Sequence, residues 1–354
     1  MNSTVHGLVT ANPSRYVPQT EALAFFTSRR ALEPREREIY EKVLAEGPIQ
    51  GRYVAVDHDQ FDHDLTQDEL IAQFQRQGRA LAAAAGGRAL DTCRLEPEQI
   101  GALVVNTCTG YLCPGLSSYV AEQLRLPDDV QVFDLVGMGC GAAIPNLRCA
   151  AGLSFRVRRR AVLSIAVEVC SATLFFSPDP DQVISNCIFG DGAAAMIIGP
   201  GDESLAAAPL FRIIDFETGL FPRYRSDLKY VSRQGKLRNV LSRRVPVIGA
   251  RTIAQTAGRL LDRNGLSPAD VAVWAVHPGG VAVLDAVREK LPIPPCMLEH
   301  AYRIFREYGN MSSPSVLFVL DSILAERRPA PGTFGLLLAF GAGFSAHAAL
   351  VHFL

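Results

Sequence analysis

The sequence predicts a duplicated α/β fold, on three observations. Apolar stretches of strand length alternate with amphipathic stretches of helix length along the 354 residues. Two stretches share one grammar, Leu95-Glu96-Pro97-Glu98-Gln99-Ile100-Gly101-Ala102-Leu103-Val104-Val105-Asn106 and Leu266-Ser267-Pro268-Ala269-Asp270-Val271-Ala272-Val273-Trp274-Ala275-Val276-His277. The spacing beyond each is alike: Cys140 lies 34 residues after Asn106, and Asn310 lies 33 residues after His277. Alternating strands and helices imply parallel sheets with helices on both faces. The halves are read as residues 1–207, carrying Cys140, and 208–354, carrying His277 and Asn310. Ligands in such sheets bind beyond the carboxyl ends of the strands, so the three residues are expected to meet where the halves join.

In chain order, Thr66 starts a helix. Each Leu-x-Pro loop leads into an apolar strand ending in a polar residue, Asn106 or His277. A helix comes after each, Ser118–Leu126 before Pro127 and Val283–Leu291 before Pro292. Val130–Val136 reads as a strand and Ala142–Leu153 as a helix, with Gly137-Met138-Gly139-Cys140-Gly141 as the turn between them. Ala161–Val167 is the next strand. In the second half the helix Ser315–Leu324 and the strand Phe334–Phe340 take the matching places.

The bulk composition narrows the function. Nearly half of the chain is apolar (48%), which favours a globular protein over a disordered one. A net charge of −1 offers no field for nucleic acid or an anionic membrane. No apolar run is long enough to span a bilayer, and Met1 to Arg15 lacks a signal-peptide core. Eight cysteines without a C-x-x-C pair argue against zinc and against a disulfide framework. A reducing, cytoplasmic setting is the expectation. Asp57-His58-Asp59-Gln60-Phe61-Asp62-His63-Asp64 reads as a solvated loop rather than a metal cluster. Arg156-Val157-Arg158-Arg159-Arg160 reads as the cationic end of the Cys140 helix.

Chemistry concentrates on three residues. A thiol at a strand-to-helix turn faces unpaired N–H groups and the positive end of the helix dipole, which favours the thiolate. On that reading Cys140 is the most reactive of the eight cysteines. An imidazole, His277, can pair with the sulfur, and the imidazole and the Asn310 amide can both donate to a thioester oxygen as charge builds there. An amide is no base at neutral pH, so the set suits carbon–carbon bond formation better than hydrolysis. Decarboxylation of a malonyl thioester gives an enolate that two neutral donors would hold. That enolate would attack an acyl group parked on Cys140.

These residues carry a resemblance to the type III polyketide synthases, the chalcone- and stilbene-synthase family of the thiolase superfamily. The match runs over nearly the whole chain. His6-Gly7-Leu8-Val9-Thr10-Ala11-Asn12-Pro13-Ser14-Arg15-Tyr16-Val17 is similar to the family's opening, and Thr107-Cys108-Thr109-Gly110-Tyr111-Leu112-Cys113-Pro114-Gly115 resembles its dimer-interface loop. Cys140, His277 in Val276-His277-Pro278-Gly279-Gly280 and Asn310 in Tyr308-Gly309-Asn310-Met311-Ser312-Ser313 fall on its catalytic triad. Phe189 in Ile188-Phe189-Gly190-Asp191-Gly192 falls on its gatekeeper phenylalanine.

The resemblance implies a five-layered αβαβα thiolase fold, a homodimer, and a bacterial enzyme of the alkylpyrone or alkylresorcinol kind. It implies an acyl-CoA starter, malonyl-CoA as extender, and no cofactor or metal. Cys170, Thr173 and Ser312 match cavity-lining positions, and Cys113 matches the position that reaches the partner's cavity. Lys42, Gly279, Gly280 and Ala282 match positions that contact CoA. Two places depart from the family. The C-terminal Gly-Phe-Gly-Pro-Gly reads Ala339-Phe340-Gly341-Ala342-Gly343 here, and the CoA-facing basic cluster is thin, with Ile39 and Glu46 beside Lys42. Residues 223–247 align poorly with plant members. Alternative readings are a β-ketoacyl-carrier-protein synthase of the initiating kind and an inactive relative that binds acyl-CoA. Starter length, number of extensions and mode of ring closure are set by cavity shape and are not readable here.

Overall fold

A computed structural model describes residues 3–354 apart from 62, 158, 201–204 and 234. Asp62 and Arg158 of the two charged stretches therefore lie outside the described residues. The first half contains β1 (Ser3–Ala11), β2 (Arg15–Pro18), α1 (Gln19–Arg29), α2 (Pro34–Ala45), β3 (Gly51–Val54), α3 (Gln67–Cys93), β4 (Ile100–Thr107), α4 (Leu116–Gln123), β5 (Gln131–Val136), α5 (Ala143–Ser154), β6 (Ala161–Glu168), α6 (Pro180–Ile188) and β7 (Gly192–Pro200). The second contains β8 (Phe211–Leu220), β9 (Leu228–Arg233), β10 (Lys236–Leu241), α7 (Val245–Arg263), β11 (Val271–Val276), α8 (Val281–Lys290), α9 (Glu299–Tyr308), α10 (Ser315–Arg327), β12 (Phe334–Gly341) and β13 (Ser345–Phe353).

The long strands run in the order β11-β12-β13-β8-β1-β7-β6-β4-β5. Two sets are visible in it. β4 pairs in parallel with β5 and β6, and β11 pairs in parallel with β12. β7 and β1 extend the first set antiparallel, as β13 and β8 extend the second. Among the described residues the sets pair edge to edge where Thr4 meets Arg212 and Val5 meets Phe211. The expectation of purely parallel sheets is thus corrected to mixed ones. The reason is local: only Ala342, Gly343 and Phe344 separate β12 from β13, and so short a link joins antiparallel strands only.

Helices α5 and α10 each pack against strands of both sets, α3 covers the outer face of the first set and α7 that of the second. The result is helix, sheet, helix, sheet, helix. Burial on both faces explains the sequence of the central strands. β4, Ile-Gly-Ala-Leu-Val-Val-Asn-Thr, is buried at every residue, as is β6. It also explains α10, whose residues Ser315 to Leu320 are all buried because both sheets face it. By contrast α7 is one-sided: Ile248, Thr252, Ile253, Thr256, Ala257 and Leu260 face in, and Arg251, Arg259 and Arg263 face out. Thr66 caps α3 by accepting from the Glu69 N–H, as the sequence predicts.

No helix among the described residues is long and apolar enough to cross a membrane.

Candidate active site

Cys140 sits in a helical turn, Gly139–Gly141, between β5 and α5. Gly137 (φ 80°) and Gly139 (φ 61°) make the turn in the left-handed region, where a side chain would strain the backbone. The end of β12 closes over this turn. A Cβ on Gly341 would stand 2.2 Å from the Met138 carbonyl oxygen and 3.2 Å from the Cys140 nitrogen, so only glycine lets the strand come so close. Next along that strand, the Phe340 ring meets the His277 ring edge to face at 6.3 Å. One strand end therefore touches both the cysteine turn of the first half and the histidine of the second.

His277 comes directly after β11, its N–H donating to the Leu338 carbonyl at 2.8 Å. The ring is buried, and Nδ1 has no hydrogen-bond partner. Burial alone lowers its pKa to about 3, so the imidazole is neutral at physiological pH.

Asn310 is fixed from both sides. Its N–H donates to the Ile188 carbonyl at 2.8 Å, and its carbonyl accepts from Gly190 N–H at 3.0 Å, which straps it to the Phe189 segment. Its Oδ1 accepts from Ser312 N–H at 2.8 Å. That bond orients the amide so that Nδ2 is the group left to donate. Nδ2 lies 3.5 Å from the Gly279 carbonyl in the His277 loop.

The Cys140 thiol is pushed up to about 11. Burial is the largest cause, and the negative Glu168 adds to it; hydrogen bonds from Ser312, Asn310 and the backbone N–H of Cys140 itself pull the other way without offsetting it. This corrects the expectation of a preformed thiolate. The helix terminus is present, but a low-dielectric pocket with a carboxylate behind it outweighs it. The resting site holds a thiol, and the imidazole packed on Phe340 of the same strand end is neutral, so sulfur must lose its proton as it attacks.

Cys140 shares a small cavity with Cys108, Phe189, Leu228, Lys229, Tyr230, Asn239 and Ser312, among others. Phe189 and Ser312 thus stand where their motifs place them, at the cysteine. Cys170 and Thr173 line a different space, whose walls join apolar Phe25, Phe26, Val54, Val56 and Leu174 to charged Arg15, Glu21, Arg52, Asp57 and Asp59. Phe189 borders both. Arg52 donates to the Phe189 carbonyl at 2.7 Å and holds that divider, and buried Asp191 two residues on accepts from Ala55 N–H and Ser171 N–H. Cys113 is exposed on the loop before α4. Lys42 is exposed on α2, and Gly279, Gly280 and Ala282 lie in the turn that starts α8.

Glu168 escaped the sequence reading. It ends β6, is fully buried, and accepts from Thr107 Oγ1, Cys108 N–H, Thr109 Oγ1, Ser312 Oγ and Ser313 Oγ at 2.6–3.4 Å. Its signal was a single acidic residue closing an otherwise apolar strand. Leu228, Lys229, Tyr230 and Asn239 were also missed, because the hairpin carrying them has no counterpart in the motifs.

Comparison with known proteins agrees with this geometry. A family described as "FAE1/Type III polyketide synthase-like protein" matches residues 9–263, and one described as "Chalcone and stilbene synthases, C-terminal domain" matches residues 222–354. The chain is 30% identical to a 1,3,6,8-tetrahydroxynaphthalene synthase of Streptomyces peucetius subsp. caesius, over 99% of this chain and 93% of that one. It is 28% identical to an alpha-pyrone synthesis polyketide synthase-like protein, Pks18, of Mycobacterium tuberculosis, over 98% and 90% of the two chains. Among solved structures it resembles PKS-I of the brown alga Ectocarpus siliculosus, with a TM-score of 0.90, 25% identity and coverage of 100% and 98%.

The raised thiol has a measurable consequence. Alkylation of Cys140 by iodoacetamide, monitored by peptide mass spectrometry, should accelerate steadily with pH toward about 11, while exposed Cys113 and Cys296 react first at neutral pH. A rate for Cys140 that is already level at pH 7 would show a thiolate in the resting enzyme.

Proposed function

The chain belongs to the type III polyketide synthase family, and on that premise we propose that it loads an acyl group from acyl-CoA onto Cys140 and extends it with malonyl-CoA by decarboxylative Claisen condensation. The observation that carries this reading is the Asn310 amide. It is anchored through Oδ1, which leaves Nδ2 as the group to donate, and Nδ2 lies 3.5 Å from the carbonyl of Gly279, in the loop that follows the neutral imidazole of His277 with its unpaired nitrogen.

In loading, the Cys140 sulfur attacks the acyl-CoA carbonyl, His277 takes the thiol proton, and CoA leaves as its thiol on receiving that proton. Malonyl-CoA then binds with its thioester oxygen between Asn310 Nδ2 and His277. Carbon dioxide leaves, and the electron pair stays as an enolate held by these donors. Each well-placed donor contributes about 3 kcal/mol as the charge develops. The enolate carbon attacks the acyl thioester, the new carbon–carbon bond forms, and the Cys140 sulfur departs to be reprotonated. The carbon nucleophile comes from decarboxylation, so the reaction calls for no further cofactor. Glu168 acts by positioning, since it holds Ser312 and Ser313 next to Asn310.

The apolar wall that Phe25, Phe26, Val54, Val56 and Leu174 give the cavity bordering Phe189 supports a starter with an aliphatic chain, and a relative named for alpha-pyrone synthesis supports ring closure to an alkylpyrone or alkylresorcinol. The free cysteines suit a cytoplasmic enzyme.

A homodimer is supported by β5. It is an edge strand, paired only with β4, and Val132, Phe133 and Val136 are exposed on it. The loop carrying Cys113 leads into α4, where Ser117 N–H donates to Asp134 of β5 at 3.0 Å, so loop and strand form one surface. A second copy across a twofold axis would cover both.

Two outcomes test these readings. Incubated with acyl-CoA and malonyl-CoA without carrier protein, the enzyme should release extended, cyclised products seen by mass spectrometry. Cys140→Ala should abolish them yet retain slow malonyl-CoA decarboxylation, and His277→Ala should lose both; extension that requires a carrier protein would refute the assignment. Light scattering during size exclusion should give a dimer, and Val132→Glu with Val136→Glu should reduce it to monomer. A monomeric wild type would remove the dimer.

A further inference from the structure

The cavity that Phe189 shares with Cys170 changes character along its length. Its buried wall is apolar and includes Ala22 and Phe26 of α1 and Val56 after β3. Its outer end is charged: Arg15, Glu21, Asp57 and Asp59 line the same space, and all four are at least partly exposed. These four are joined to one another. The Arg15 guanidinium, on β2, binds Asp57 through Nη1, and through Nη2 it binds Glu21 of α1 at 2.8 Å and Asp59 at 3.0 Å. Asp57 is held in turn, accepting from Gln60 Nε2 at 3.0 Å and from the Asp59 N–H at 3.2 Å. The short turn of residues 58–60 is fastened inward by His58, whose Nε2 donates to the Ser171 carbonyl at 2.8 Å. One guanidinium therefore ties β2, α1 and this turn together across the outer end of the cavity.

The sign of the cluster says what it faces. Three carboxylates against one guanidinium leave it at a net −2. That field repels the phosphates of CoA, so the nucleotide end of a substrate does not belong here. The apolar wall leads instead to the far end of an aliphatic chain. Hydrocarbon pressed against ion pairs strips their water and returns no hydrogen bond, which is unfavourable. A chain short enough to end on Phe26 and Val56 escapes that cost, and a longer one meets it.

We propose that Arg15 is a specificity-determining residue: with Glu21, Asp57 and Asp59 it forms the end-stop of the starter cavity and limits the length of acyl chain that the enzyme takes. The proposal rests on an acyl starter bound at Cys140 and running past Phe189, as in the function proposed above. The stop is soft. Ion pairs between partly exposed groups are weak in water, so longer chains are disfavoured rather than shut out. Without Arg15 the three carboxylates repel one another and turn to solvent, and the end opens.

The experiment compares hexanoyl-CoA with hexadecanoyl-CoA on wild type and on Arg15→Ala. The ratio of kcat/KM for the long chain to that for the short one should rise about fivefold or more, with hexanoyl-CoA within about twofold of wild type. If Arg15→Ala does not fold, Glu21→Ala with Asp59→Ala removes two of the three ion pairs and carries the same expectation. An unchanged ratio, or an equal gain or loss on both chains, overturns the proposal; the equal loss is what a purely structural Arg15 would give. A second arm maps the chain directly. A hexadecanoyl-CoA analogue with a terminal diazirine, photolysed on wild type, should label α1 or residues 57–60 by peptide mass spectrometry. Label on Phe74 or Tyr111, in the separate cavity beside α3, would overturn the end-stop. Photolabelling needs no turnover, so label on α1 in a protein that never acylates Cys140 would leave the end-stop standing and the assigned reaction fallen.

Discussion

A buried carboxylate with five hydrogen-bond donors, none of them a cation, holds the site together. Glu168 lies at the end of β6. Thr107, Cys108 and Thr109 reach it from the end of β4, and Ser312 and Ser313 reach it from the loop behind Asn310. It thereby ties the strand ends of one half to the catalytic loop of the other. Ser312 adopts φ 58°, a conformation few side chains prefer, and its hydroxyl and N–H are both engaged there. The network continues inward, with Asn106 Nδ2 donating to Ser313 Oγ and Asn146 Nδ2 donating to Asn106 Oδ1. Taking a charge out of water is costly, and donors on both oxygens are what make its burial tolerable.

The same carboxylate shapes the electrostatics. Burial is the main reason that Cys140, Cys108 and Tyr230 resist ionisation, and the carboxylate adds to it. Burial keeps His277 neutral, so the imidazole brings no positive charge to the sulfur. Neutral groups favour donation that acts only when an enolate forms, which is where it lowers the barrier.

Much of this was legible in the sequence because it rests on local pattern. The buried strands read as apolar runs, and Leu-x-Pro ahead of an apolar strand marked the duplication. Cys140, His277 and Asn310 were legible as polar residues at strand ends, where α/β sheets place their ligands. The features that escaped depend on distant contacts. The raised Cys140 thiol arises first from burial in the folded protein and then from Glu168, 28 positions along the chain; neither is visible beside it in sequence. The β12–β13 hairpin was missed because its turn, Ala342-Gly343-Phe344, continues an apolar run without a break. Cys170 and Thr173 sit near Phe189 as their motif suggests, yet only side-chain directions show that they face the cavity on its far side.

The central claim is that two neutral donors, fixed through Glu168 and the Phe189 strap, meet one thioester oxygen. A crystal structure of the Cys140→Ser protein with a non-decarboxylating malonyl-CoA analogue tests it most directly. The account predicts the thioester oxygen within hydrogen-bond distance of both Asn310 Nδ2 and a ring nitrogen of His277. An oxygen turned away from either group, in an otherwise ordered complex, would contradict it.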